Sequence, residues 1–174
     1  MTNFIVGAIL PTKLNPNNAA SLLLKNATAH LQRQPELAKQ LQIEGINDVH
    51  ILICGHGERD SRCGILGPIL QREFEDKLRS SKYALKSQST TTTTQSEISQ
   101  ISHIGGHKFA GNVIIYIPPI LEKQGHPLAG KGIWYGRVEP KHVEGIIRKT
   151  IEEGVVIKEL FRGGIDREAN LMRI

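Results

Sequence analysis

The stretch that most constrains the fold is Val49-His50-Ile51-Leu52-Ile53. It is short and rich in β-branched residues, and it follows a Gly45–Asp48 connection, so it reads as a strand buried in a sheet. The strand ends by delivering Cys54. From Gly64 onward the apolar positions Ile65, Leu66, Ile69, Leu70, Phe74 and Leu78 fall at helical spacing, with Pro68 expected in the first turn, where a missing N–H costs nothing. A strand running through a Gly-rich loop into a helix is the start of an α/β unit. Open α/β sheets place their sites at the carboxyl ends of strands, where Cys54 falls.

The rest of the chain extends that pattern. Asn112 to Ile117 (NVIIYI) reads as a buried strand stopped by Pro118-Pro119, and Gly132 to Val138 (GIWYGRV) as another. Pro140 opens a helix expected to run to Glu153, with Val143, Ile146, Ile147 and Ile151 on its apolar face. Val155 to Phe161 adds an edge strand or a short helix. Nearer the start, Phe4 to Leu10 reads as a short strand and Ala19 to Gln34 as helix-prone. Lys86 to Gln100, with its Thr90–Thr94 run, is low in complexity and reads as a flexible surface insertion, not a strand. The expected organisation is a partly helical N-terminal extension over 1–45, a domain over 46–161 carrying the Thr-rich insertion at 86–100, and a polar tail over 162–174. The order of elements suggests an α/β sandwich of the thioredoxin-like kind, a central mixed sheet flanked by helices.

Composition narrows the function. With 174 residues, 39% of them hydrophobic, the chain can build a core without help from disulfide or metal. Its two cysteines make no disulfide framework. The net charge is +5, but the Lys and Arg are scattered and aromatics make up only 5%, so no basic, aromatic platform for nucleic acid is expected. A basic face suits an acidic redox partner. No apolar run is long enough to span a bilayer. Met1 to Leu10 lacks the basic and long apolar regions of a signal peptide, and no Arg- and Ser-rich transit segment is present; the chain either stays where it is made or derives from a longer precursor.

Both cysteines lie in one Gly-rich loop, Cys54-Gly55-His56-Gly57-Glu58-Arg59-Asp60-Ser61-Arg62-Cys63, and two histidines lie in a second, Ser102-His103-Ile104-Gly105-Gly106-His107. Two thiolates and two imidazoles complete a coordination set for zinc or for an iron–sulfur cluster. Zinc fingers pair closely spaced cysteines, which the Cys54–Cys63 step is not, and the set reads as a [2Fe–2S] site at Cys54, Cys63, His103 and His107. A helix beginning just after Cys63 would favour its thiolate. Histidine ligation would lift the potential from about −400 mV toward roughly −150 to +300 mV, and the protonated imidazole nitrogens would couple electron to proton transfer. His56, Arg59, Arg62 and Lys108 are candidates for hydrogen bonds around the ligands.

Other chemistries fit less well. Ile53 to Arg59 resembles the phosphate-cradling loop of a cysteine-dependent phosphatase, yet the spacing from Cys54 to Arg59 is one residue short. No C-x-x-C is present to tune an attacking thiol for an oxidoreductase. Cys54-Gly55-His56 mimics half of a Rieske motif, but Cys63-Gly64-Ile65-Leu66 does not supply the other half. A zinc-stabilised interaction module without redox activity stays open.

Three motifs in order, C-x-H-x-x-R-D-x-R-C-G at Cys54 to Gly64, S-H-x-G-G-H-x-F-A-G-N at Ser102 to Asn112, and W-Y-G-R-V at Trp134 to Val138, resemble those of the sucrase/ferredoxin-like family of thioredoxin-like ferredoxins. The resemblance covers about Val49 to Glu153. It implies a ferredoxin domain with one [2Fe–2S] cluster on Cys54, Cys63, His103 and His107. It also implies electron transfer or redox sensing with protein partners, a possible homodimer, and the role of a non-enzymatic electron carrier more than that of an enzyme. The chain ends Met172-Arg173-Ile174 without the terminal tryptophan of the family's cytosolic branch. The expected location is therefore mitochondrial, matrix or intermembrane space, with the cytoplasm as the alternative.

Overall fold

The computed structural model describes residues 36, 39, 45–85, 94–102, 104, 107–168 and 170–174. Two compact units divide the chain, residues 1–45 and 46–174. In the first, an exposed ion pair joins Lys39 to Glu36 at 2.9 Å; the strand expected at Phe4–Leu10 and the helix at Ala19–Gln34 lie outside the described residues. In the second, the elements run β1 (Val49–Cys54), α1 (Ser61–Leu78), β2 (Ser96–Ile101), β3 (Val113–Tyr116), β4 (Gly132–Tyr135), α2 (Pro140–Ile146) and β5 (Phe161–Ile165).

One five-stranded mixed sheet holds all five strands in the order β2-β1-β3-β4-β5. β1 pairs in parallel with β2 and antiparallel with β3, and β3, β4 and β5 form an antiparallel meander. Side chains alternate across a pleated strand, and matched strands stack theirs in rows. The rows here are Ile51–Ile115–Ile133 and Ile53–Val113–Tyr135. All six side chains are fully buried. They share one core with Leu70, Phe74 and Leu78 of α1 and Val143 and Ile146 of α2, so the helices flank the sheet as the sequence led one to expect. The opposite faces of these strands carry Leu52, Ile114, Tyr116 and Trp134, each only partly buried.

Four local features differ from expectation. α1 starts at Ser61, not Gly64, because Asp60 caps it: the extended Asp60 accepts the Arg62 N–H at 3.0 Å through Oδ1. Cys63 therefore lies inside the first turn, and Pro68 lies inside the helix beyond that turn. Residues 96–100, read as part of a flexible insertion, form most of β2; this edge strand tolerates the polar Glu97, Ser99 and Gln100, while the buried Ser96 bridges to Leu85 and donates its hydroxyl to the Tyr83 carbonyl at 2.7 Å. The Thr-run residues 90–93 lie outside the described residues. The helix at Pro140 changes to π geometry over Ile147–Glu152. The last strand lies at Phe161–Ile165, later than expected, and the chain beyond returns to it through Met172 N–H on Gly164 O at 2.9 Å. No helix among the described residues is long and apolar enough to cross a membrane.

Candidate metal centre

Cys54 is the last residue of β1 and Cys63 sits one turn into α1. Four glycines bring them together. A Cβ on Gly64 would lie 2.6 Å from the Gly57 Cα, and one on Gly67 would lie 2.8 Å from the Gly55 Cα and 3.1 Å from the Cys54 carbonyl oxygen. The loop after β1 thus lies backbone against backbone on α1, an approach that side chains at these positions would block. Both cysteines are buried, at 1% and 0% exposure. Neither forms a disulfide.

The two thiols hydrogen-bond to each other. Burial, the bond to Cys54 and the charge that Cys54 would carry push the Cys63 thiol up to about 11, against the opposing backbone N–H of Gly111, which donates to its sulfur. The first turn of α1 does not keep Cys63 as a thiolate by itself, contrary to the effect expected of the helix N-terminus. A cation held between the sulfurs would displace their protons.

His107 opens a 3₁₀ turn, His107–Phe109, immediately before the Gly111 that reaches Cys63. His103, Gly105, Gly106 and the side chain of His107 lie outside the described residues. No group of three or more His, Cys, Asp or Glu gathers as a metal site among the described residues. What is described fits the sulfur half of a metal centre: two adjacent buried thiols outside any disulfide, with a backbone N–H aimed at one of them.

The four residues expected to hydrogen-bond around the ligands divide. His56 lies in the cysteine loop, its backbone oxygen accepting the N–H groups of Arg59 at 3.3 Å and Asp60 at 3.2 Å. Its Nδ1 is buried with no hydrogen bond among the described residues. Arg62 turns to the Asp60 carboxylate through two side-chain bonds of 3.1 and 2.9 Å. Lys108 is exposed, with its Nζ 5.9 Å from the centre of the Phe109 ring. Arg59 is also exposed.

Asn112 is a residue that spacing did not single out. Its backbone oxygen accepts the Cys54 N–H at 3.0 Å. Its side-chain oxygen accepts from Trp134 Nε1 at 3.2 Å and from Arg162 at 2.6 Å. Two donors converging on that oxygen fix which way the amide points. The amide nitrogen is buried with no partner among the described residues. Arg162 stacks on Phe109, 3.8 Å from its ring centre, and lies 4.7 Å from that of Trp134. Phe109, Asn112 and Trp134 all stand in the motifs quoted above, which was the available signal for this cluster.

The profile of the sucrase/ferredoxin-like family matches residues 4–163. Fungal relatives named "Altered inheritance of mitochondria protein 32" are similar to this chain. The Meyerozyma guilliermondii protein is 37% identical over 82% of this chain and 44% of its own length. The Clavispora lusitaniae protein is 38% identical over 94% of this chain and 51% of its own. The chain thus spans about half the length of these curated relatives. Among solved structures, a thioredoxin-like [2Fe-2S] ferredoxin from Aquifex aeolicus superposes with a TM-score of 0.43 at 16% identity, over 68% of this chain and 91% of that one. A likeness that low transfers nothing about the site.

Proposed function

Since this chain belongs to the sucrase/ferredoxin-like family, we propose that it binds a [2Fe–2S] cluster through Cys54, Cys63, His103 and His107 and serves as an electron-transfer or redox-sensing protein in mitochondrial redox homeostasis. The observation that carries this reading is the pair of buried, mutually hydrogen-bonded thiols with the Gly111 N–H directed at Cys63. The names of the fungal relatives support the mitochondrial part. On this reading the partners are redox proteins and the role is that of an electron carrier or redox sensor.

When bound, the cluster supplies a centre that takes up and releases one electron. The chain's own part is to shape the place that holds it. Gly57 and Gly64 let the loop and helix close until the two thiols are within hydrogen-bonding reach. Burial at 0 and 1% keeps water from the two sulfurs. The Gly111 N–H partly offsets charge on the Cys63 sulfur, which favours the reduced form. The buried nitrogens of His56 and Asn112 offer further polar groups near the cysteine loop.

The test is the visible absorption and EPR spectrum of anaerobically purified protein, before and after dithionite, with metal analysis of wild type and His107→Cys. About two iron and two sulfide per chain, with a reduced signal that changes in His107→Cys, is the expected result. A colourless protein with about one zinc per chain would replace the carrier by a zinc-stabilised module.

A further inference from the structure

Across β3, β4 and β5, on the sheet face opposite the Ile51–Ile115–Ile133 row, runs a groove of about 300 Å³. Its lining is mainly apolar, with Ile114, Trp134, Ile165 and Leu171, and Gly163 leaves its floor without a side chain. Ile165 is 37% exposed and Leu171 80% exposed, a costly position for large apolar groups. One end is closed by Arg162.

Arg162 is the unmatched residue of a bulge: Trp134 pairs with Gly163 and Tyr135 with Phe161. Bulges re-aim a side chain, and this one sends the guanidinium onto Phe109. Arg137 reaches the same ring, 5.8 Å from its centre. It does so from a left-handed backbone, φ 58°, the one non-glycine residue with positive φ among those described. Lys108 stands third around the ring. Among the described residues none of the three has a carboxylate partner, and Arg162 rests on the neutral Asn112 amide. Burial and the neighbouring Arg137 both work against the Arg162 charge. Like charges gathered on one ring beside an apolar groove complement a ligand that is apolar at one end and anionic at the other.

We propose that this groove docks an acidic peptide segment of a partner protein, an apolar side chain entering between Trp134 and Leu171 and a carboxylate settling between Arg162 and Arg137. The proposal deepens the carrier reading and rests on it for purpose: Asn112 bonds to Arg162 through its side chain and to Cys54 through its backbone, so Arg162, which would hold the docked carboxylate, lies two hydrogen bonds from the Cys54 backbone. The net charge of +5 acts in the same sense by drawing acidic partners in.

The experiment is a titration of the full chain with the peptides EEFLEE and KKFLKK, read by backbone and indole NMR shifts and repeated with Arg137→Glu and Leu171→Glu. Both variants change exposed side chains, so folding is retained. Saturable shifts from EEFLEE at Trp134 Nε1, Gly163 and Gly164 are expected, weakened about tenfold by Arg137→Glu and by high salt, with KKFLKK silent. Leu171→Glu should weaken binding as well. No saturable shifts, equal binding of both peptides, or shifts confined to other surfaces would overturn the proposal. So would self-association of the wild type that Leu171→Glu abolishes, because the occupant would then be a second copy. Metal content measured on the same samples separates the two readings: peptide binding by an iron-free chain would keep the docking site and remove the carrier.

Discussion

Two buried polar clusters of this molecule follow opposite rules. Around Tyr135 every group is satisfied and the donors run in one direction. Ile157 N–H donates to the Tyr135 hydroxyl at 3.1 Å. That hydroxyl lies 2.6 Å from Thr150 Oγ1, which in turn donates to the Val155 carbonyl at 3.1 Å. Nearby, His126 accepts the Leu128 N–H at 3.2 Å on Nδ1 and lies 2.9 Å from the Ile151 carbonyl through Nε2. In the cysteine loop and at Asn112, by contrast, His56 Nδ1 and Asn112 Nδ2 are buried without partners among the described residues. An unsatisfied buried group costs about 1–3 kcal/mol. Among the described residues one cluster is completely satisfied and the other is not, and the unmatched groups lie near the cysteines, where function is expected to keep them.

The comparison can be broken at several points. Gly64→Ala should have the largest effect. Its new Cβ would meet the Gly57 backbone, at a cost of about 1–3 kcal/mol in chemical denaturation, and metal content should fall as the sulfurs separate. Gly163→Ala, which meets nothing within 4 Å, is the silent control. Thr150→Val strands the Tyr135 hydroxyl and should cost about 1–2 kcal/mol with metal content unchanged, the mark of a purely structural cluster.

Protonation probes the same cluster from another side. Burial lowers the pKa of His126, with the Ile151 carbonyl opposing. Above the unfolded value of about 6.5 the ring is neutral in both states and adds no pH dependence. Below it the unfolded chain takes up the proton first, so stability is lost as pH falls. The urea midpoint should therefore drop between about pH 7 and pH 5, with a flatter profile in His126→Gln. Asn112→Asp removes the donor that has no partner among the described residues, keeps both accepted bonds, and places a negative charge beside Arg162. Stability should change by less than about 1 kcal/mol, while the reduction potential of the proposed cluster falls in a redox titration. The smallest effect belongs to the exposed Lys149–Glu153 pair, 2.6 Å apart on the π turn: Lys149→Ala should cost about 0.3–0.5 kcal/mol in the same denaturation assay.

Legibility in the sequence followed the same division. β1, β3 and β4 were readable because a buried strand writes its burial into β-branched residues, as at Ile51, Ile115 and Ile133. β2 was not, since an edge strand needs few apolar side chains and Ser96-Glu97-Ile98-Ser99-Gln100-Ile101 resembles the polar run before it. The start of α1 was signalled by Asp60-Ser61, but the apolar periodicity begins only at Ile65 and drew the boundary inward. Spacing suggested Cys54 and Cys63 as neighbours, and the Gly57–Gly64 contact shows how they become so. Arg162 gave no such signal: its partners Phe109 and Asn112 come from one segment and Trp134 from another, both far from it in sequence, and only the bulge in β5 brings it to them.

The position of β2 has a consequence in time. β3, β4 and β5 join by successive antiparallel pairings, whereas β2 reaches β1 only after the chain has crossed α1, and on its other side it has only the single bridge from Ser96 to Leu85. Long-range parallel pairing carries a loop-closure cost that local pairing avoids. Amides of β2 should therefore exchange with solvent sooner than those of β3, through openings that leave the meander closed. Because β2 leads directly into the histidine loop while the cysteines sit nine positions apart on the β1–α1 turn, the newly made chain would offer its sulfurs first and its imidazoles last.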